Sequence, residues 1–481
     1  MTTTETTDPA ATHEGDRADG PQLERSLKSR HMTMISLGGV IGAGLFVGSG
    51  AVMNETGPAA VLSYVAAGAL IVLVMRMLGE MAVANPAVGS FVEYCRSALG
   101  PWAGFSVGWL YWYFWAIVLA IEAVAGATIL QRWIDAPVWL MSFVLMALLT
   151  ATNLWSVKSY GEFEFWFASI KVAAIIAFIA IAAGWLLGIG GGDSPGLSNL
   201  TAHDGFFPAG PVTVLSGIVI VIFAFVGAEI VTIAAGESEE PERAVSRAVN
   251  SVVARVFVFY VLSVFLVVCV VPWNDARLGD SPFIAALERI GIPGAADVMN
   301  AIVVTAVLSC LNSGIYTASR MLFALARRGD APKALLEVNA RGVPVKAIML
   351  SVSIGFLSVI FSAISPNKVF LFLVNSSGAI ALFCYILIAA AELRMRRRLE
   401  AEAPERLKLR MWLFPWLTYV AIAAMLAVIV SMAFVADARP QLIPSLISLA
   451  IVVVAAWWHG RRSTRAAETA RAGGRRRVPA T

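Results

Sequence analysis

Charge is scarce in this chain. Only 14% of its 481 residues are Asp, Glu, Lys or Arg, against roughly 25% in a typical soluble protein. That shortage argues against an ordinary water-soluble domain. Cysteine is rare as well: Cys95, Cys269, Cys310 and Cys384 lie far apart, with no metal-ligand spacing and no disulfide framework. Of the histidines, His13 sits in a polar tail and His31, His203 and His459 near ends or loops, so no intramembrane metal cluster is expected. A glycine-rich phosphate loop closed by Lys-Ser/Thr is missing, which argues against ATP as partner or energy source. No nucleophile–base pairing stands out either, so an enzyme is not expected and no cofactor is implied.

What the chain has instead is apolar residues, 58% of the total. They fall in runs that approach or exceed the ~20 residues needed to cross a bilayer core. Residues 1–30 are polar, with Arg17, Arg25, Lys28 and Arg30 ahead of the first run, so no signal peptide is expected. Polar, proline and glycine punctuation divides the remainder into twelve candidate helices: 31–53, 58–81, 102–130, 138–155, 163–188, 211–236, 251–271, 297–325, 345–365, 368–391, 412–435 and 441–458. The class expected is an all-α, polytopic membrane protein, because unpaired backbone groups are not tolerated in hydrocarbon.

Basic residues orient the twelve. With the N-terminus in the cytoplasm, Arg132, Arg277, Arg289, Lys368 and Arg439 fall outside and Lys171 within the membrane. The rest of the 36 Lys and Arg fall inside. That bias obeys the positive-inside rule and puts both termini in the cytoplasm. It also explains the formal net charge of +4 without a nucleic-acid partner. Residues 1–26 read as a disordered cytoplasmic N-terminus and 459–481 as a basic, unstructured cytoplasmic tail, on either side of a membrane domain over 27–458.

Two spans look interrupted. The first carries Gly38, Gly39, Gly42, Gly44, Gly48 and Gly50, and glycine weakens a helix by roughly 1 kcal/mol per residue relative to alanine. Close helix packing is the alternative, since Gly38/Gly42 and Gly44/Gly48 fit small-xxx-small spacing. The sixth holds Phe223-Ala224-Phe225-Val226-Gly227-Ala228-Glu229, a glycine beside an acid inside an apolar run. Helices one and six correspond if two five-helix halves, about 31–188 and 211–391, are inverted repeats, with 412–435 and 441–458 added. Interrupted helices at matching positions point to a midplane site. Amides freed at a half-helix N-terminus suit a carboxylate. Freed carbonyls at the other break, helped by Glu229, suit an ammonium group.

Ionisable residues at membrane depth are costly and need a reason. Lys171 is the clearest. Burial disfavours its charged form, so it is a candidate for proton coupling, with a snorkelling or permanently paired lysine as the alternative. Glu164, seven residues earlier, shares its helical face. Glu122 is the other deep acid, pocket wall or structural. Phe114 and Trp115 end the aromatic run 109–115 at the greatest depth and are candidate pocket walls. The polar run Ser309-Cys310-Leu311-Asn312-Ser313 offers Ser309, Cys310 and Asn312 as further wall residues or as packing contacts.

These residues carry a resemblance. Leu27–Met34, the Gly39–Gly50 stretch, Trp109–Trp115, Tyr160–Trp166, Ser309–Asp330 and Asn375–Ile380 resemble the amino acid transporter branch of the amino acid–polyamine–organocation superfamily. Within it, the helix-three and helix-five stretches are most similar to bacterial 4-aminobutyrate (GABA) permeases. The resemblance implies a leucine-transporter-like fold of two inverted five-helix repeats plus two helices. It implies substrate carboxylate at Ile41, Gly42, Ala43 and Gly44, and substrate amine near the Phe223–Gly227 carbonyls, which makes Phe223, Ala224, Phe225 and Gly227 candidates alongside the Glu229 already named at that break. It also implies that Lys171 fills the place of a sodium ion. Many permeases of the branch have threonine where this chain has Ala43, whereas the GABA-like members tend to have alanine. The function expected is proton-coupled uptake of 4-aminobutyrate across the bacterial cytoplasmic membrane. Other readings are a permease of the same fold for proline, asparagine or an aromatic amino acid, and more remotely a membrane nutrient sensor.

Overall fold

The computed structural model describes residues 27–475 apart from 39, 87–88, 190–193, 239, 280, 364–376, 378 and 436–438. The expected extension 1–26, Gly39, Lys368 and the opening of the tenth span therefore lie outside the described residues, as do 476–481. Among the described residues there is no β-strand, only an isolated bridge between Leu27 and Ser238. Among the described residues, eight helical stretches are long and apolar enough to cross a membrane, and Val345–Phe361 and Trp416–Met432 are shorter apolar helices.

The first span is split into α1 (Ser29–Gly38), α2 (Ala43–Phe46) and α3 (Gly48–Thr56). After it come α4 (Ala60–Ala84), the short α5 (Phe91–Leu99), α6 (Pro101–Leu130), α7 (Val138–Trp155) and α8 (Val157–Leu186). The sixth span is split into α9 (Thr213–Phe225) and α10 (Ile230–Ala234). The seventh begins as α11 (Pro241–Arg255), widens to a π-helix over Val256–Leu262 and continues as α12 (Ser263–Val270). Beyond them lie α13 (Pro282–Ile290), α14 (Ala295–Arg327), α15 (Val345–Ser362), α16 (Ile380–Glu402), α17 (Trp416–Met432) and α18 (Arg439–Arg475).

Starts and stops have local causes. Proline opens α6 at Pro101, α11 at Pro241 and α13 at Pro282, where its missing N–H costs nothing. Ser156 caps α8 by accepting from the Ser159 amide, so this helix starts six residues before the apolar run at 163. Two short helices, α5 and α13, were not expected, because each is too short and too polar in part to read as a span. The last helix continues to Arg475, past the 458 boundary read from hydropathy. Arg- and Ala-rich sequence is a good helix former once a preceding helix has supplied the nucleus.

α6 and α14 pack along one another at the centre, α14 also lies on α8, and α1 lies on α8. Apolar side chains such as Val144, Leu148, Trp166, Val430 and Ile451 are exposed, while Glu122, Glu164, Lys171 and Glu229 are buried. This distribution suits a lipid solvent and a polar interior.

Candidate functional site: two broken helices around a small cavity

The interruption expected in the first span is present. α1 ends at Gly38, and Gly42, with φ −134° and ψ −155°, is extended before the chain turns helical at Ala43. The amides that open α2 have no partner within their own helix. The sixth span breaks too. Val226 is extended, Gly227 takes φ 114°, and helical structure resumes at Ile230. Only glycine adopts that φ without strain, which is why Gly227 marks the break. The two interrupted spans touch tightly: a Cβ at Gly44 would lie 2.7 Å from the Ala224 Cα. The close-packing reading of the glycines therefore holds at Gly44 alongside the break at Gly42.

Lys171 reaches the first break from α8. Its Nζ donates to the Ile41 carbonyl and to Ser309 Oγ, each at 2.8 Å. Ser309 Oγ in turn donates to Glu164 Oε1 at 2.7 Å. The lysine is fully buried, so it does not snorkel. One short chain of contacts thus joins an acid, a hydroxyl, a base and the opened backbone. Charge-assisted bonds of this kind are roughly twice as strong as neutral ones.

Between the breaks lies a cavity of about 10 Å³, lined by Val40, Gly42, Gly44, Phe114, Trp115, Val118, Glu122, Phe223, Ala224, Val226 and Cys310. That is room for about one water. Glu122 is the one acid in the lining. Its carboxyl group faces the Ala43 amide and the Cys310 thiol, and Oε2 has no hydrogen-bond partner.

Residues 31–466 match the amino acid permease family. The chain belongs to that family. A "Gamma-aminobutyric acid permease" of Bacillus subtilis is 55% identical over 90% of this chain and 92% of the relative. A protein of the same name from Escherichia coli is 49% identical over 87% and 91%. Among solved structures, the manganese transporter of Eremococcus coleocola superposes with a TM-score of 0.55 over 89% of this chain and 92% of that one, at 12% identity. The last likeness bears on the fold alone. The chain is a multi-pass membrane permease for amino acids, not an enzyme.

Several side chains of this permease stand elsewhere than the sequence suggested. Glu229 does not line the cavity. Its carboxylate accepts from Tyr111 at 2.7 Å, Tyr385 at 3.1 Å and the Gly227 amide at 3.3 Å. It braces the helix-six break from behind. Phe225 likewise lines a different cavity. The carbonyls expected to be free at this break are engaged: Phe223 accepts from the Val226 amide, Phe225 from the Ala228 amide and Gly227 from the Ile230 amide. Each keeps its second lone pair. Of the polar run on α14, Cys310 alone lines the cavity. Ser309 turns to Lys171, and Asn312 accepts from Asn153 at 2.8 Å.

Sequence pattern alone does not single out Tyr260. Tyr260, on the π-helical stretch, donates from its hydroxyl towards the Val40 carbonyl at 3.1 Å and the Ala224 carbonyl at 3.3 Å. It touches both interrupted spans at once. A buried tyrosine hydroxyl nearly always has a partner, and that rule was the available signal.

Proposed function

We propose that this permease imports 4-aminobutyrate by alternating access, driven by proton entry and using no cofactor. The observation that carries this reading is the Lys171–Ile41 contact at the break in helix one. It ties a group that can gain or lose a proton to the backbone that would hold substrate. The names of the Bacillus subtilis and Escherichia coli relatives, both γ-aminobutyric acid permeases, support the choice of substrate.

In the cycle we infer, the amides of Gly42, Ala43 and Gly44, beside Ile41, receive the substrate carboxylate. The ammonium end turns towards the helix-six backbone at Phe223 and Ala224. Phe114, Trp115 and Cys310 flank the methylenes. Glu122 faces the same Ala43 amide, so two carboxylates would compete there. Substrate entry therefore favours a Glu122 that is protonated or displaced. A charged Lys171 grips the Ile41 carbonyl more firmly than a neutral one. Loss of its proton, with Glu164 as relay partner through Ser309, loosens α1 and favours opening to the inside.

The same reading takes the chain as twelve helices in two inverted five-helix repeats plus two, with both termini in the cytoplasm of a bacterium and the body in the inner membrane. Uptake of labelled 4-aminobutyrate into proteoliposomes tests it. Accumulation should require an inward proton gradient, and proline, asparagine and aromatic amino acids should compete poorly. Strong competition by one of these would transfer the assignment to an α-amino acid.

A further inference from the structure

A second cavity lies beside the first. Val40, Phe225, Val252, Arg255, Phe259 and Tyr260 are among the residues that enclose about 20 Å³. Val40 borders both cavities. Tyr260 stands between them, bonded to the Val40 and Ala224 carbonyls. The second cavity lies towards the side on which the chain begins. α11 leads into it from the segment where Ser238 pairs with Leu27, and Arg247 on α11 reaches Ser29 at 3.1 Å. By the distribution of basic residues, that side is the cytoplasm.

Arg255 is the unusual member of the lining. It is 7% exposed. One nitrogen donates to the Ala248 carbonyl at 2.6 Å, and Nε has no partner. Among the described residues Arg255 forms no ion pair, and the Tyr260 ring lies in the same cavity lining. Two other buried arginines are treated differently. Arg320 bonds Glu237 at 2.8 Å and Arg396 bonds Glu80 at 2.5 Å. A buried cation normally has an anion, because an uncompensated charge is expensive. The C-terminal carbonyls of α1 offer only partial charge. The Arg255 fork is complementary to a carboxylate, and its aromatic surroundings suit a short methylene chain.

We infer that Arg255 forms an inner subsite, which binds the carboxylate of a substrate leaving for the cytoplasm. The proposal rests on the import reading above. When α1 moves away, the Tyr260–Val40 bond breaks and the two cavities join. The carboxylate then passes from the helix-one amides to the guanidinium. The subsite thus belongs to the inward-open state and contributes little to binding from outside.

Sided kinetics test it. Right-side-out and inside-out vesicles of phosphatidylcholine, with and without phosphatidylglycerol, would carry the full-length protein and its Arg255→Gln variant. Labelled 4-aminobutyrate is the probe. Arg255→Gln should raise KM at the cytoplasmic face about tenfold or more, and change the outer-face KM by less than about twofold. Val252→Phe, which fills the cavity and keeps the charge, should give the same one-sided rise and carries the test if Arg255→Gln does not fold. Equal changes at both faces would mean a structural arginine, and no change at either would remove the subsite. A one-sided effect seen only with phosphatidylglycerol would assign Arg255 to a lipid headgroup and overturn the proposal. If the parent protein carries no 4-aminobutyrate, that reading fails separately, and the same measurement with the amino acid it does carry decides the role of Arg255.

Discussion

Lys171 Nζ and the Ile41 carbonyl, 2.8 Å apart, join the deepest cation of helix five to the opened backbone of helix one. An intact helix would have used that carbonyl for its own ladder. The break releases it, and the lysine takes it up. In the proposed cycle this contact links the proton state of Lys171 to the position of the opened backbone.

Lys171→Ala should therefore lose accumulation driven by a pH gradient while keeping counterflow exchange. Both are measured with labelled 4-aminobutyrate in proteoliposomes. Concentrative uptake at the parental level in this variant would remove the coupling role from Lys171.

Glu122→Gln keeps the size of the side chain and removes the charge that opposes a substrate carboxylate at the Ala43 amide. Its affinity for substrate at neutral pH should equal or exceed that of the parent. The rise in affinity on acidification should shrink. Binding titrations across pH 5 to 8 check this, and a tenfold loss of affinity at every pH would give Glu122 an attractive role instead.

Gly44→Ala should be far more harmful than Gly48→Ala. The added methyl at Gly44 meets the Ala224 backbone at 2.7 Å, whereas at Gly48 the nearest atom is 3.8 Å away. Forcing a backbone aside in a tight contact costs about 1–3 kcal/mol. Transport by Gly44→Ala should fall at least tenfold with a lowered Tm in detergent, and Gly48→Ala should stay near the parent.

Glu229→Leu removes the acceptor for Tyr111, Tyr385 and the Gly227 amide together. Hydrogen bonds to a charged group contribute about 1.5–3 kcal/mol each when broken singly, so this variant should be strongly destabilised. Tyr385→Phe, losing one bond, should show a smaller drop in Tm and an outer-face KM close to the parental value. A large KM change without a stability change in Tyr385→Phe would return Glu229 to the substrate.

Much of this was legible beforehand. Glycine density and the Gly227–Glu229 neighbourhood announced both breaks, because a missing Cβ leaves little else to hold such segments helical. Lys171 and Glu164 were found by depth and shared face. Depth does not give direction, however. Glu229 lies at the right level but turns to Tyr111 and Tyr385, partners over a hundred residues away in sequence. Ser309 and Asn312, three residues apart, share one face of α14 towards Glu164, whereas Cys310 lies about 100° round the helix from Ser309 and faces the cavity, so a polar run could not tell which of them lines it. Arg255 read as one more cytoplasmic charge, since burial without a carboxylate leaves no trace in a single sequence.

A structure of the protein with 4-aminobutyrate bound is the most direct test of the two-break cradle. The substrate carboxylate should lie within hydrogen-bond distance of the amides of Gly42, Ala43 and Gly44, with its ammonium group turned to the α9–α10 break. Substrate bound elsewhere, or continuous helices through both positions, would contradict it.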